Sequence, residues 1–237
     1  MDRAALAAMI DHTLLAPEAT PGQIAMLCAD AVELGVAAVC VSPSRLPLPT
    51  DEPLTPAIGI CSVIGFPSGA HQPEVKAAEA ARAVANGATE VDVVIDLGAA
   101  VAGLWRLVEG ELALVREAIG HDVVLKAILE TALLETPERI VNACWAAESA
   151  GADFVKTSTG YHRAGGATTQ AVALMAKTVE GRLGVKASGG IRDLATAMAM
   201  VDAGATRLGC SGTRKILDEL GVSVDLTSAV DLDVPAH

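Results

Sequence analysis

Aromatic side chains are almost missing. Two Phe, two Trp and one Tyr serve a chain of 237 residues, so the core has to be built from Ala, Val, Ile and Leu, which suit close packing of helices on a sheet. Basic residues are few as well: 17 Lys and Arg stand against 29 Asp and Glu, a net charge of −12. No Lys/Arg cluster is there to neutralise a run of phosphates, which argues against a nucleic-acid partner and against an anionic membrane surface. No uncharged apolar run reaches about 18 residues, so no membrane span is expected. Residues 1–9 carry Asp2 and Arg3 and do not read as a signal peptide. Five cysteines, an odd number without a C-x-x-C, suggest neither a disulfide framework nor a zinc knuckle. Free thiols in a reducing cytoplasm are the expectation. The five histidines are scattered, and no paired metal spacing, G-x-G-x-x-G or Walker A motif occurs, so no metal and no cofactor are expected. His12, at a strand start, reads as a core residue or one standing behind a site.

What is present is apolar and regularly patterned. Hydrophobic residues make up 51% and charged residues 19%, enough for a large core. No Ser/Pro-rich linker divides the chain, and one domain over 1–237 is expected. Helical patterns cover 21–34, 73–86, 104–119, 137–150, 168–180, 193–203 and 212–220, several opening on Pro, Asp or Thr and closing at Gly. Strand-like runs fall at 12–15, 37–41, 59–66, 90–96, 124–130, 154–159, 185–188 and 207–211. Strands alternating with helices predict a parallel sheet, and eight units predict closure. The expected fold is a single (β/α)8 barrel with a short N-terminal helix, and the length agrees with the usual ~250 residues.

A weak repeat orients the strands. Gly35-Val36, Gly87-Ala88, Gly151-Ala152 and Gly204-Ala205 each end a helix and lead into a strand. The fifth residue after each Gly is Cys40, Asp92, Lys156 or Gly209, so these four should hold equivalent strand positions. Val91, Val93 and Val155 alternate with them and should face the helices. Asp92 and Lys156 should therefore point into the barrel, towards the carboxyl end where barrel sites lie.

Lysine is scarce, which makes its placement informative. Lys76, Lys177 and Lys215 lie on helical patterns and read as solvated. Lys126, Lys156 and Lys186 lie within strands. One such lysine is most simply a strand end or an ion pair; three on successive strands, with Asp92 nearby, point to chemistry. A lysine attacks a carbonyl only as the neutral amine, against an ordinary pKa near ~10.4. Two ammonium groups about 4 Å apart repel by roughly 4 kcal/mol at an effective dielectric of 20, equivalent to a fall of about two to three in pKa. Paired inward lysines thus make one of them nucleophilic, and a carboxylate such as Asp92 moves the protons. Spacing alone does not say which lysine attacks.

Small residues follow these strands: Thr157-Ser158-Thr159-Gly160, Ser188-Gly189-Gly190-Ile191-Arg192 and Gly209-Cys210-Ser211-Gly212-Thr213. Plain tight turns would explain one of them. Several, in the places where barrels bind phosphate, predict an anion site in which backbone N–H groups and a helix terminus face the ligand.

These stretches resemble the deoxyribose-phosphate aldolase family. The matching segments are Asp11-His-Thr-Leu-Leu15, Val39-Cys-Val41 with Pro43, Val63-Ile-Gly-Phe-Pro67, Glu90-Val-Asp92, Lys126-Ala-Ile-Leu-Glu130, Phe154-Val-Lys-Thr-Ser-Thr-Gly160 and Gly184-Val-Lys-Ala-Ser-Gly-Gly-Ile-Arg192. The resemblance implies a cofactor-free, Schiff-base-forming (class I) aldolase. Its reaction would be the reversible cleavage of 2-deoxy-D-ribose 5-phosphate to D-glyceraldehyde 3-phosphate and acetaldehyde. It assigns Lys156 to the imine, Lys186 to the second lysine that lowers its pKa, and Asp92 to the proton relay. Gly160, Gly189, Gly190, Ser211 and Gly212 match phosphate-loop positions, and a cytoplasmic homo-oligomer, dimer or tetramer, is expected. Two departures stand out. Tyr161 follows the T-S-T-G turn where some members have Lys, and the end, Asp231-Leu-Asp-Val-Pro-Ala-His237, lacks the tail tyrosine of some members. The competing readings are a class I barrel aldolase for another sugar phosphate or keto acid, and a non-catalytic phosphosugar-binding barrel.

Overall fold

Every strand-forming run pairs in parallel with the next, and the last returns to the first. The chain is seen in a computed structural model that describes residues 1–50 and 54–228. In chain order the elements are α1 (Arg3–Ala7), β1 (Ile10–Leu14), α2 (Pro21–Leu34), β2 (Ala38–Val41), β3 (Gly59–Ile64), α3 (Pro73–Ala85) and β4 (Glu90–Val94). There follow α4 (Leu97–Val101), α5 (Trp105–Ile119), β5 (Val124–Ile128), α6 (Thr131–Leu134), α7 (Pro137–Ser149) and β6 (Phe154–Lys156). The chain then runs through α8 (Thr169–Val179), β7 (Gly184–Ser188), α9 (Leu194–Asp202), β8 (Arg207–Cys210) and α10 (Thr213–Ser228). The eight strands close into one barrel in sequence order, β8 lying beside β1. This is the expected (β/α)8 architecture, including the short helix ahead of β1.

The four glycines of the repeat take the left-handed conformation that ends a helix, with φ of +68° at Gly35, +101° at Gly87, +78° at Gly151 and +108° at Gly204. The strand residues that follow alternate as the repeat predicts. Val39, Val41, Val91, Val93 and Val155 join the large apolar layer between sheet and helices. Ala38, Cys40, Cys61 and Val63 form a small separate cluster with Leu15 and Phe66 against it.

Two expectations change. The strands stop earlier than their apolar runs: β6 ends at Lys156, β5 at Ile128 and β3 at Ile64. Gly65 turns left-handed directly after β3 (φ +61°), and Glu130 does so two residues after β5 (φ +55°). The carboxyl ends thereby leave the ladder and become loops over the barrel mouth. The second change is Lys76, which is not solvated but fully buried beneath α3. Its Nζ donates to the Val94 carbonyl at 2.8 Å and to Glu111 Oε2 on α5 at 2.6 Å. Lys76, Ala80 and Ala83 share the buried face, and on an alanine-rich helix a lone lysine does not reveal which face that is. His12 is buried, its Nδ1 2.9 Å from Thr213 Oγ1, in keeping with a core role.

Candidate active site

Asp92 stands at the centre of the barrel with no exposed surface. Its Oδ1 accepts from Lys126 Nζ at 2.8 Å, and its Oδ2 accepts from Lys156 Nζ at 2.8 Å and from Lys186 Nζ at 2.6 Å. All three strand lysines thus converge on the one carboxylate that the sequence put beside them. Register explains the meeting: Asp92 lies opposite Lys126 across β4–β5, and Lys156 opposite Lys186 across β6–β7. Burial pushes the Asp92 carboxyl up, but Lys126, Lys156 and Lys186 together hold it well below the usual carboxylate range.

Around this centre lie charges whose roles the sequence did not disclose. Lys186 also donates to Asp11 Oδ2. Lys126 reaches Glu90 Oε2 at 2.5 Å, and Arg207 reaches Asp11 Oδ1 at 2.7 Å. Burial works against charge on Lys186, yet Asp11 and Asp92 raise its pKa above the ordinary lysine value; it stays an ammonium. Lys126 is likewise raised well above, with Asp92 its strongest partner against burial. Four cations (Lys126, Lys156, Lys186, Arg207) therefore share three carboxylates (Asp11, Glu90, Asp92). Removing one proton balances the set. Lys126 and Lys186 each pair with more than one of these carboxylates, whereas Lys156 pairs with Asp92 alone. Lys156 is also the one of the three whose side chain is not sealed, at 4% exposure against 0% for the others.

Space is made for this packing by Gly209, where a Cβ would come within 2.9 Å of Ser188 Cβ and 3.3 Å of Lys186 Cε. Above Lys156 opens a cavity of about 310 Å³. Lys156 lines it, with Gly160, Ser188, Gly189, Gly190 and Ser211, so four of the five sequence-predicted phosphate-loop residues reach it. Gly212, the fifth, does not line it and stands just ahead of α10. Gly160 and Gly189 are both left-handed (φ +81° and +86°), and a Cβ on Gly189 would press to 3.2 Å from the Gly160 Cα. The loops after β6 and β7 thus meet backbone to backbone.

Thr13, Leu14, Leu15, Thr159, Tyr161 and Arg192 also line the cavity. The loop carrying Thr159 is pinned by the buried Glu130, whose Oε2 accepts from Thr159 N at 3.2 Å and from its Oγ1 at 2.6 Å. Tyr161 packs edge-on to Phe66 with ring centroids 5.3 Å apart. Residues 231–237, which carry no tyrosine, lie outside the described residues. Taken together, the arrangement offers a solvent-reachable amine, buried ammonium and carboxylate groups within one hydrogen bond of it, and a cavity lined largely by small residues. That set is suited to imine chemistry on a small phosphorylated carbonyl compound.

Comparison with known proteins agrees with this geometry. The pattern of the DeoC/LacD family aldolases matches residues 5–219. The deoxyribose-phosphate aldolase of Kocuria rhizophila is 59% identical over 218 residues, covering 92% of this chain and 98% of that one. Among solved structures, an aldolase designated QR15 superposes with a TM-score of 0.85 at 37% identity, covering 94% of this chain and 98% of that one. The tetrameric deoxyribose phosphate aldolase of Aeropyrum pernix superposes with a TM-score of 0.79 at 34% identity, covering 93% and 92%.

Proposed function

The chain belongs to the DeoC/LacD aldolase family, and from that we propose that it reversibly cleaves 2-deoxy-D-ribose 5-phosphate through a Schiff base on Lys156. The observation that carries this reading is that Lys156 alone among the buried lysines both faces the cavity and leaves the charges around it balanced when it is neutral. The free amine attacks the C1 aldehyde of the open-chain sugar, water leaves, and an imine forms. The C3 hydroxyl then gives up its proton as the C2–C3 bond breaks, releasing D-glyceraldehyde 3-phosphate. The enamine that stays on Lys156 gains a proton at carbon and is hydrolysed to acetaldehyde. Lys156 cannot carry these protons while it is covalently bound. Asp92 Oδ2, which Lys156 and Lys186 share in the free enzyme, is the natural acceptor, with water between it and the sugar. Lys186, held as an ammonium, supplies the partner charge. The phosphate is held by the loops bearing Gly160, Gly189, Gly190 and Ser211, with Gly212 at the entrance to α10.

The assay that tests the reading is acetaldehyde release from deoxyribose 5-phosphate in excess chelator, with fructose 1,6-bisphosphate alongside. Turnover of the former alone is expected. Preference for the latter, or dependence on added metal, would replace this assignment with that of another aldolase. We further propose a cytoplasmic homo-oligomer, a dimer or tetramer. The tetramer of the A. pernix relative and the exposed Leu104, Leu107 and Trp145 support the assembly. Among the described residues no helix is long and apolar enough to cross a membrane, and the five cysteines are free thiols. A monomer in analytical ultracentrifugation would remove the oligomer.

A further inference from the structure

Cys40 and Cys61 were read from the sequence as ordinary free thiols, and the aldolase reaction uses neither. The fold sets them side by side. They are register partners on β2 and β3, both face inward, and both are fully buried. The Cys61 Sγ lies 3.1 Å from Asp92 Oδ1. One ligand atom from each of Cys40, Cys61 and Asp92 falls within 4.8 Å of the other two. In a tetrahedral site with bonds of about 2.3 Å to sulfur and about 2.0–2.2 Å to oxygen, neighbouring ligands stand a little closer than that. Cys61 and Asp92 already stand within that spacing, and Cys40 has at most about 1 Å to close.

We propose that Cys40, Cys61 and Asp92 form a binding site for a thiophilic divalent cation of the zinc and cadmium class, and that its occupation shuts off the aldolase site. Two thiolates with one carboxylate are a donor set such ions prefer to the oxygen-only sets of magnesium or calcium. The charge argument, adverse at first sight among so many lysines, is neutral. The entering dication replaces two thiol protons, which leave to solvent, so the net charge of the buried cluster does not change. Proton release therefore accompanies binding. Access runs past Leu15, which packs against the cluster that holds Cys40 and Cys61 and also lines the cavity above Lys156. Ligation through Asp92 Oδ1, the oxygen beside Cys61, displaces Lys126 from it, and the dication draws charge from the carboxylate, so Oδ2 becomes too weak a base to accept the sugar proton and an occupied site loses its proton relay. That last step rests on the proposed role of Asp92; the binding itself does not.

The test uses the full-length protein, stripped with chelator and titrated with Cd²⁺. Thiolate-to-cadmium charge-transfer absorption should saturate at one equivalent. Acetaldehyde release should fall in proportion and return on adding chelator. The Cys40→Ala/Cys61→Ala double variant should lose the band, and Cys144→Ala on α7 should keep it. X-ray absorption at the cadmium edge reads the ligands without any variant, and two sulfur neighbours completed by oxygen are expected. No band in the wild type, a band undiminished in the double variant, or a ligand set without two sulfurs overturns the site. A saturated band with turnover untouched overturns the part played by Asp92. Because the band is read without substrate, it stands or falls independently of the aldolase assignment.

Discussion

Lys76 and Lys156 are both buried lysines bound to a carboxylate, and their surroundings could hardly differ more. Lys76 lies under α3 with one ionic partner, Glu111, and one carbonyl, Val94. Glu111 in turn accepts from Asp96 N at 2.5 Å, tying α5 to the end of β4. The pair is sealed and charge-matched. Lys156 belongs to a set with more cations than carboxylates, and it faces a cavity. Burial of a lysine is therefore not what marks a reactive one. The marks are an unmatched charge and an open face. A matched, closed pair holds elements in place; an unmatched, open one leaves an amine with a single carboxylate partner facing the cavity.

The sharpest way to break this comparison is to delete each lysine. Lys156→Ala should abolish turnover while the protein stays folded, since the variant removes the surplus cation; circular dichroism and the acetaldehyde assay together decide it. An unfolded Lys156→Ala would mean that its charge is structural after all. Next in size is Asp92→Asn, for which kcat should fall by about 100-fold or more, within the ~10²–10⁴ range of acid–base groups. In the Asp92→Asn/Lys186→Leu double variant the losses should not multiply, because members of one unit act together; independent losses would separate the two residues into different steps. Lys76→Met should behave oppositely, losing about 3–5 kcal/mol of stability in denaturant by stranding the buried Glu111. The protein that remains folded should turn over nearly normally, and a collapse of kcat without loss of stability would make Lys76 part of the chemistry.

Two smaller effects refine the picture. Lys186→Leu should move the pH–rate profile to higher pH. The sign follows from charge: without the neighbouring ammonium, a protonated Lys156 is less repelled, so the neutral amine appears only at higher pH. A shift to lower pH would show that Lys186 acts on Lys156 in some other way. Ser211→Glu should raise KM for deoxyribose 5-phosphate and much less so for unphosphorylated deoxyribose. Equal change with both would take the phosphate away from these loops.

Much of this was legible in the sequence because it was local. The barrel followed from helix and strand periods, and the inward aim of Asp92 and Lys156 followed from counting forward from helix-ending glycines. The glycine loops were legible because only tight, small-residue turns read as they do. What was not legible depended on closure. Asp11 and Lys186 are 175 positions apart and meet only because β1 packs beside β8. Glu90 and Arg207 begin their strands, where a charged residue reads as a solvated end, yet Glu90 pairs with the buried Lys126 and Arg207 with the buried Asp11. Cys40 and Cys61 have no motif spacing and meet only through register. Lys76 was misread because α3 is rich in alanine on every side, so its buried face carries no contrast. Glu130 left no signal in its residue type: its left-handed backbone shows only in the dihedral angles.

The central claim, that charge imbalance and access together select Lys156, is tested most directly by trapping. The protein is incubated with acetaldehyde, reduced with borohydride and mapped by peptide mass. The account predicts a single ethyl group, on Lys156, with Lys126, Lys186 and the buried Lys76 unmodified. An ethyl group on Lys186 or Lys126 would reverse the assignment, and no lysine adduct at all would contradict the Schiff-base mechanism.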